Sequence, residues 1–220
     1  MKVKICGICS ANDARAAQRL GADYLGMILS QGFKRSLLPD QGVDIALAVD
    51  VAVVAVLVDE SIAESVRIAD LVGASVIQLH GAESPGFVHE LRSRGDWAIW
   101  KAVRVRRPED VTQAVSEYET VDALLLDAWH PELPGGSGAP FQWEEFPSSS
   151  DAFPPEMHMI AAGGLNPDNV ERAVRVLSPD VVDVSSGVEL APRLKDHDLI
   201  EAFIGSARKA AVSIRDTDRK

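Results

Sequence analysis

Val51-Ala52-Val53-Val54-Ala55-Val56-Leu57-Val58 is an unbroken apolar run rich in β-branched residues, and it stops at Asp59. A strand on a half-exposed antiparallel sheet would alternate apolar and polar residues, whereas an uninterrupted run suits a parallel sheet covered on both faces. After it, 61–72 carries apolar residues at helical spacing, and 75–79 is again short and apolar. The same alternation extends in both directions. Strands are expected at 2–6, 24–29, 51–58, 75–79, 97–103, 121–126, 158–162 and 181–184. Helices are expected at 11–20, 61–72, 84–94, 108–117, 167–177 and 197–211, several opening on signals such as Asn166-Pro167 or Arg107-Pro108. Eight such units predict an α/β fold, a single (β/α)8 TIM barrel, with an open doubly wound sheet sharing the pattern. The chain's 220 residues suit one barrel domain spanning 1–220, since closed α/β barrels run to roughly 200–250 residues.

The hydrophobic fraction of 46% supplies a core of that size and excludes disorder. The formal net charge of −11 argues against a nucleic-acid or anionic membrane partner, because both are met by clustered positive charge. An anionic ligand must then be held locally. The start, Met1-Lys2-Val3-Lys4, turns polar by Ser10, and no apolar run approaches the roughly 20 residues of a spanning helix. A cytoplasmic location is expected. The pattern weakens between 127 and 155, which is rich in Gly, Pro and Ser and holds only a short helix candidate at 142–146. A connection of that length inside a compact domain is usually functional or mobile.

In either α/β fold, chemistry gathers at the carboxyl ends of the strands. The polar residues of this chain fall there: Cys6-Gly7, Lys34-Arg35, Asp59, His80-Gly81, Asp127, Gly163-Gly164 and Ser185-Ser186-Gly187. The last two groups close the seventh and eighth strands and open helices. Glycines and helix N-termini offer backbone N–H groups to an anion, so Gly163, Gly164, Ser185, Ser186 and Gly187 form a candidate phosphate cradle. Asp127 follows Leu124-Leu125-Leu126. Its carboxyl should emerge beside apolar walls and Trp129, where desolvation would raise its pKa as a general acid requires. An N-cap or loop carboxylate is the plainer reading. Asp183 lies inside Val-Val-Asp-Val and must find hydrogen-bond partners, whether substrate hydroxyls or neighbouring backbone. His80 by default is a satisfied strand-end histidine, and Arg35 a solvated loop charge. Arg104-Val105-Arg106-Arg107 reads as solvated surface.

Cys6-Gly7-Ile8-Cys9 has the spacing of a redox pair or of half a zinc site. A structural zinc site wants a second close ligand pair, and the five histidines are scattered with no further cysteine. No metal and no cofactor are expected.

Several long motifs occur together and in order: Val3-Lys4-Ile5-Cys6-Gly7-Ile8, Gln78-Leu79-His80-Gly81, Leu126-Asp127, Gly135-Gly136-Ser137-Gly138 with Phe141 and Trp143, 162–170 from Ala162 to Val170, and 182–189 with Lys195-Asp196. Together they resemble the phosphoribosylanthranilate isomerases across essentially the whole chain. The resemblance implies a cofactor-free Amadori rearrangement in tryptophan biosynthesis, converting N-(5-phosphoribosyl)anthranilate into 1-(2-carboxyphenylamino)-1-deoxyribulose 5-phosphate. It implies Cys6 as general base, Asp127 as general acid, Arg35 near the anthranilate carboxylate, and the two glycine-containing loops on the phosphate. Gln78, His80 and Asp183 are carried as further substrate-binding residues, and the expected partner is a small phosphorylated substrate. A thiolate suits the role, since a free cysteine near pKa ~8.5 needs only a modest downward shift, which Arg35 could supply. Three positions depart from the pattern: Cys9 where Thr or Ser is usual, the 30–36 loop, and Pro192-Arg193 where a Gly usually follows the proline.

The alternatives are the aldose–ketose isomerase of histidine biosynthesis or an enzyme serving both pathways, a thiol-disulfide protein, and a phosphate-binding barrel without turnover. The histidine-pathway class uses paired aspartates, one at the end of the first strand, where this chain has Cys6.

Overall fold

All eight strands expected from the sequence form, and each pairs in parallel with its neighbours. The computed structural model describes residues 1–128 and 143–217. In chain order, β1 (Lys2–Cys6), α1 (Ala11–Leu20), β2 (Tyr24–Ile28), α2 (Pro39–Ala46), β3 (Ala52–Leu57), α3 (Ile62–Leu71), β4 (Val76–Leu79) and α4 (Pro85–Arg92) build the first half. The second half contains β5 (Ala98–Val105), α5 (Pro108–Glu117), β6 (Ala123–Ala128), α6 (Ser149–Ala152), β7 (His158–Ala162), α7 (Val170–Leu177) and β8 (Val181–Val184). A hairpin of β9 (Glu189–Ala191) and β10 (Leu194–Lys195) precedes α8 (His197–Thr217). Pairing of β1 with both β2 and β8 closes the sheet into a (β/α)8 barrel, with Lys4 opposite Asp183 and Cys6 opposite Gly26.

Side chains alternate across each strand, so one residue in two points into the barrel and the next outward to the helices. Val3, Ile5, Val53, Ala55, Ile77, Leu79, Leu124 and Leu126 face out and join the helices in one continuous outer core. Val54, Val56, Val76, Trp100, Ala123, Leu125, Ile160 and Val181 fill the barrel interior with Cys6. Covering on both faces accounts for the unbroken apolar runs. Several helices start on sequence signals: the hydroxyls of Ser10, Ser61 and Ser84 accept from the amides of Asp13, Glu64 and Phe87. Such a cap contributes about 1 kcal/mol. Pro39, Pro85 and Pro108 occupy the first turn, where no N–H is needed.

Several elements differ from the sequence reading, among them α6 at Ser149–Ala152, which was not expected, and α8, which runs past 211 to Thr217. Helix α2 was not anticipated, because Pro39–Ala46 is short and carries Gly42 at its centre; a Cβ there would press on Leu29 and Val72. Strand β5 runs to Val105, two residues past its expected end, and carries Arg104 to the barrel mouth. Helix α7 begins at Val170 rather than 167, because the Asn166 carboxamide oxygen accepts from the amides of Asp168 and Asn169 in a turn. The loop after β8 opens one 3₁₀ turn (Ser186–Val188) and the hairpin before the long helix starts. Between β6 and β7, a 3₁₀ turn at Trp143–Glu145 stands near the expected short helix. Trp129, the Gly135–Gly138 motif and Phe141 lie outside the described residues.

Candidate active site

Parity along the strands decides what reaches the mouth. Cys6, His80, Arg104, Asp127, Gly164 and Ser185 continue the inward-facing rows of β1, β4, β5, β6, β7 and β8, and all line one cavity of about 510 Å³ at the carboxyl ends. Arg35 enters from the loop after β2, and Gly163, Asp183 and Ser186 complete the wall. A second hollow of about 560 Å³ shares His80, Arg104 and Asp127 and lies against α5, beside Asp110 and Tyr118. The reading of Arg104 as plain surface is therefore corrected: it is exposed, but on the wall of the mouth, because β5 is longer than expected.

Cys6 ends β1 and is buried. Burial pushes its thiol up, and the nearest opposing influence is Lys4, with Lys195 acting the same way and Asp183 against them. The expected downward shift supplied by Arg35 is not what the structure shows: the thiol lies above its ordinary range. Arg35 is engaged elsewhere. Its Nε and Nη2 donate to Glu189 Oε1 and Oε2 at 2.7 and 2.5 Å, a bidentate pair that raises the guanidinium pKa. Lys195 Nζ donates to the same Glu189 carboxylate at 3.0 Å and to the Ser185 carbonyl at 2.9 Å. Burial works against the Glu189 charge, yet the two cations hold its pKa below the usual range. Thus Arg35, the β9–β10 hairpin and the loop after β8 are tied together.

Asp127 emerges at the mouth with its side chain 31% exposed, and Trp129, expected beside it, lies outside the described residues. His80 Nε2 lies 3.8 Å from Asp127 Oδ2, and His80 Nδ1 lies 2.8 Å from Gln78 Nε2. Gln78 is fully buried and does not line the cavity. It faces the barrel interior and reaches the mouth only through His80, which corrects its assignment as a direct substrate contact. The Gln78 amide oxygen, Oε1, is buried with no hydrogen-bond partner among the described residues.

Asp183 finds neither hydroxyl nor backbone as its main partner but the buried Lys4, Oδ1 to Nζ 3.0 Å. Gly163 and Gly164 both take left-handed backbone, at φ +83° and +67°. Gly187 has no room for a Cβ, which would collide with the Leu165 carbonyl oxygen, so the loops after β7 and β8 pack directly on each other. Gly7, at φ +71°, lies between them and Arg35; a Cβ there would stand 2.6 Å from Arg35 Cδ and 2.9 Å from Ser185 Oγ. The sulfur of Cys9 donates to the Gly7 and Arg35 carbonyls, 3.5 Å each, and both cysteines are free thiols. Among the described residues, no three His, Cys, Asp or Glu side chains converge as metal ligands, and no helix is long and apolar enough to cross a membrane.

Sequence reasoning missed Lys4, Lys195 and Glu189 as parts of this site. For Lys4 the available signal was parity, since residues two apart on a strand share a face. For Glu189 and Lys195 the signal was their place in the motifs 182–189 and Lys195-Asp196, but the hairpin that brings them to Arg35 was not legible.

The family model for N-(5'-phosphoribosyl)anthranilate (PRA) isomerase matches residues 3–206. An N-(5'-phosphoribosyl)anthranilate isomerase of Geobacter sp. (strain M21) is 41% identical, over 94% of this chain and 98% of the relative. Among solved structures, the phosphoribosyl anthranilate isomerase of Thermotoga maritima superposes with a TM-score of 0.86 at 36% identity, covering 95% of this chain and 99% of that one. A phosphoribosyl anthranilate isomerase in complex with reduced 1-(o-carboxyphenylamino)-1-deoxyribulose 5-phosphate superposes at 0.82, with 32% identity and the same coverage. With its barrel closed and its likeness extending over nearly the whole chain, the chain belongs to the N-(5'-phosphoribosyl)anthranilate isomerase family.

Proposed function

We propose that this enzyme carries out the Amadori rearrangement of N-(5-phosphoribosyl)anthranilate in tryptophan biosynthesis, with Cys6 as general base and Asp127 as general acid. One observation carries the reading: Cys6 and Asp127, on β1 and β6, line a single cavity whose rim includes the paired loops at Gly163-Gly164 and Ser185-Ser186. A phosphate seated on those loops would hold the sugar between the two groups, and fixed geometry of this kind lowers the barrier by removing lost translational freedom.

The steps follow from the groups present. Protonated Asp127 delivers its proton to the furanose ring oxygen, the C1–O bond breaks, and the nitrogen lone pair forms the imine. The imine acidifies C2–H, and the Cys6 thiolate removes that proton to give an enolamine. Tautomerisation of the enolamine to the ketone completes the isomerisation without an external redox partner. His80, whose Nε2 lies 3.8 Å from Asp127 Oδ2, steadies the carboxylate left behind. Arg35 binds the anthranilate carboxylate through the edge of its guanidinium not used by Glu189, since the five N–H donors of arginine form more than one bidentate fork.

Turnover is read directly by fluorescence, because N-phosphoribosylanthranilate, anthranilate and the ring-opened product differ in emission. Loss of substrate emission with the purified chain alone, unaffected by a chelator, is the expected result. No turnover of this substrate, with turnover of the histidine-pathway aldose, would overturn the assignment.

A further inference from the structure

Lys4 is completely buried in the barrel interior. It stands two residues before Cys6 on β1, so both side chains lie on the same inward face, one layer apart. Its register partner on β8 is Asp183, and Nζ meets Asp183 Oδ1 at 3.0 Å. Beside this pair β2 contributes Gly26, which sits opposite Cys6. Its missing side chain makes room: a Cβ there would lie 2.9 Å from Cys6 Sγ, from Lys4 Cε and from Lys4 Nζ alike. Sulfur and ammonium therefore crowd the same point.

A buried ion pair is a weak source of stability, since desolvation of both charges can exceed their attraction and an apolar pair of similar volume often does as well. Stability alone gives no reason for a lysine here. An ammonium has three donors, Asp183 takes one, and the nearest anion-forming group above it is the thiol. Other titratable groups face the sulfur or share its cavity: Asp183 from β8, Lys195 from β10, Lys34 and Arg35 from the loop after β2, Arg104 from β5, and His80 and Asp127 across the cavity from β4 and β6. Of the cations, Arg35 and Lys195 share the Glu189 carboxylate. Lys195 is buried as fully as Lys4 but is bound to Glu189, whereas Lys4 lies inside the barrel wall beneath the sulfur, where water does not screen it.

We propose that Lys4 is a positioning residue for the reaction: its ammonium, anchored by Asp183 in the space left by Gly26, stabilises the Cys6 thiolate from beneath and keeps the sulfur aimed at the mouth. This rests on the reading of Cys6 as base. Burial opposes the Lys4 charge, but Asp183 and Cys6 outweigh it and hold its pKa above the usual lysine range.

The test measures the thiol itself. In a Cys9→Ser background, the rate of Cys6 alkylation by iodoacetamide is followed against pH by mass spectrometry for the parent, Lys4→Met and Lys4→Met/Asp183→Asn. The double variant removes both charges and leaves no orphan inside the barrel. Lys4→Met should raise the midpoint by one pH unit or more, a tenfold loss of thiolate at neutral pH. Its kcat should fall in step and recover as pH rises, with KM little changed. The double variant should shift the midpoint in the same direction by less. A folded variant of either kind with the parent's midpoint would overturn the proposal. Cys6→Ser separates this from the wider reading: retained turnover there removes Cys6 as base, whereas a dead Cys6→Ser with an unmoved midpoint removes only the role of Lys4.

Discussion

Asp127 and Cys6 move protons in opposite senses, and their surroundings differ accordingly. Asp127 is partly open to solvent beside His80, whereas Cys6 is buried over a lysine. The Asp127→Asn enzyme should fold as the parent does and lose about 10²–10⁴ in kcat, the usual contribution of a general acid or base. Near-normal kcat would point to His80, since Asp183 is committed to Lys4. For Cys6 the upward push of burial fixes the sign of the pH dependence. A raised thiol pKa leaves a small thiolate fraction at neutral pH that grows tenfold per unit as pH rises, so kcat/KM of the parent should climb into the alkaline range. A flat profile from pH 6 to 9 would mean that the thiolate is not the reacting form. The two cysteines separate cleanly. Cys6→Ser should cost several orders of magnitude, because a hydroxyl is too weakly acidic to supply its anion. Cys9→Ser should cost little, because its sulfur only donates to two loop carbonyls. Equal losses would favour a redox pair. Asp127 was legible because it follows the apolar Leu124–Leu126 run and Cys6 because it opens the Cys6-Gly7-Ile8-Cys9 motif at a strand end; Lys4, at the chain's start among other charges, reads as solvent-facing until parity is applied.

At the scale of elements, strands and the capped helices were legible and the departures have local causes. Apolar runs and serine or proline start signals marked β1–β8, α1, α3, α4 and α5. Gly42 hid α2, the Asn166 turn delayed α7, and the hairpin after β8 is too short to show any period. That hairpin matters most for the site, since Glu189 on it holds Arg35 and is itself held by Lys195. Helix ends also carry a testable imperfection. Helix α7 terminates at Ser178, which takes left-handed backbone at φ +46° while its amide donates to the Val174 carbonyl. That position favours glycine, because a Cβ in left-handed backbone costs about 1–2 kcal/mol, part of which glycine returns through its freer unfolded chain. Ser178→Gly should therefore stabilise by about 0.5–1 kcal/mol, raising Tm by roughly 1–3 °C in a chain of this size. Activity should be unchanged, as Ser178 lies at the amino end of β8, away from the mouth. A lowered Tm would show that the serine side chain contributes more than its backbone strain costs.

The whole molecule poses an electrostatic problem, because a chain of formal charge −11 is read as binding a phosphorylated, carboxylated substrate. Its long-range field repels such a ligand, and only local donors can reverse that. Lys34, Arg35 and Arg104 on the wall of the mouth supply positive charge, while the loops after β7 and β8 supply backbone amides. Those loops follow strands that close the ring, since β8 pairs with both β7 and β1. An anion bridging them would bind the folded barrel and not the unfolded chain, and so stabilise it by mass action. At a concentration 100 times its Kd, inorganic phosphate should contribute about 2.7 kcal/mol. At about 2–4 °C per kcal/mol for a domain of this length, the melting temperature should rise by roughly 5–10 °C. The seat can be blocked without altering the chemistry. Gly164 has open space where a Cβ would stand, and at φ +67° it carries its loop in left-handed backbone. Gly164→Leu would place a side chain in that space and should lower the melting temperature somewhat by backbone strain. More decisively, it should remove most of the phosphate-dependent rise, while Cys6→Ser should keep that rise in full. A Gly164→Leu protein still stabilised by phosphate to the parent's extent would place the anion elsewhere on the molecule, and with it the end of the substrate that the barrel mouth is built to hold.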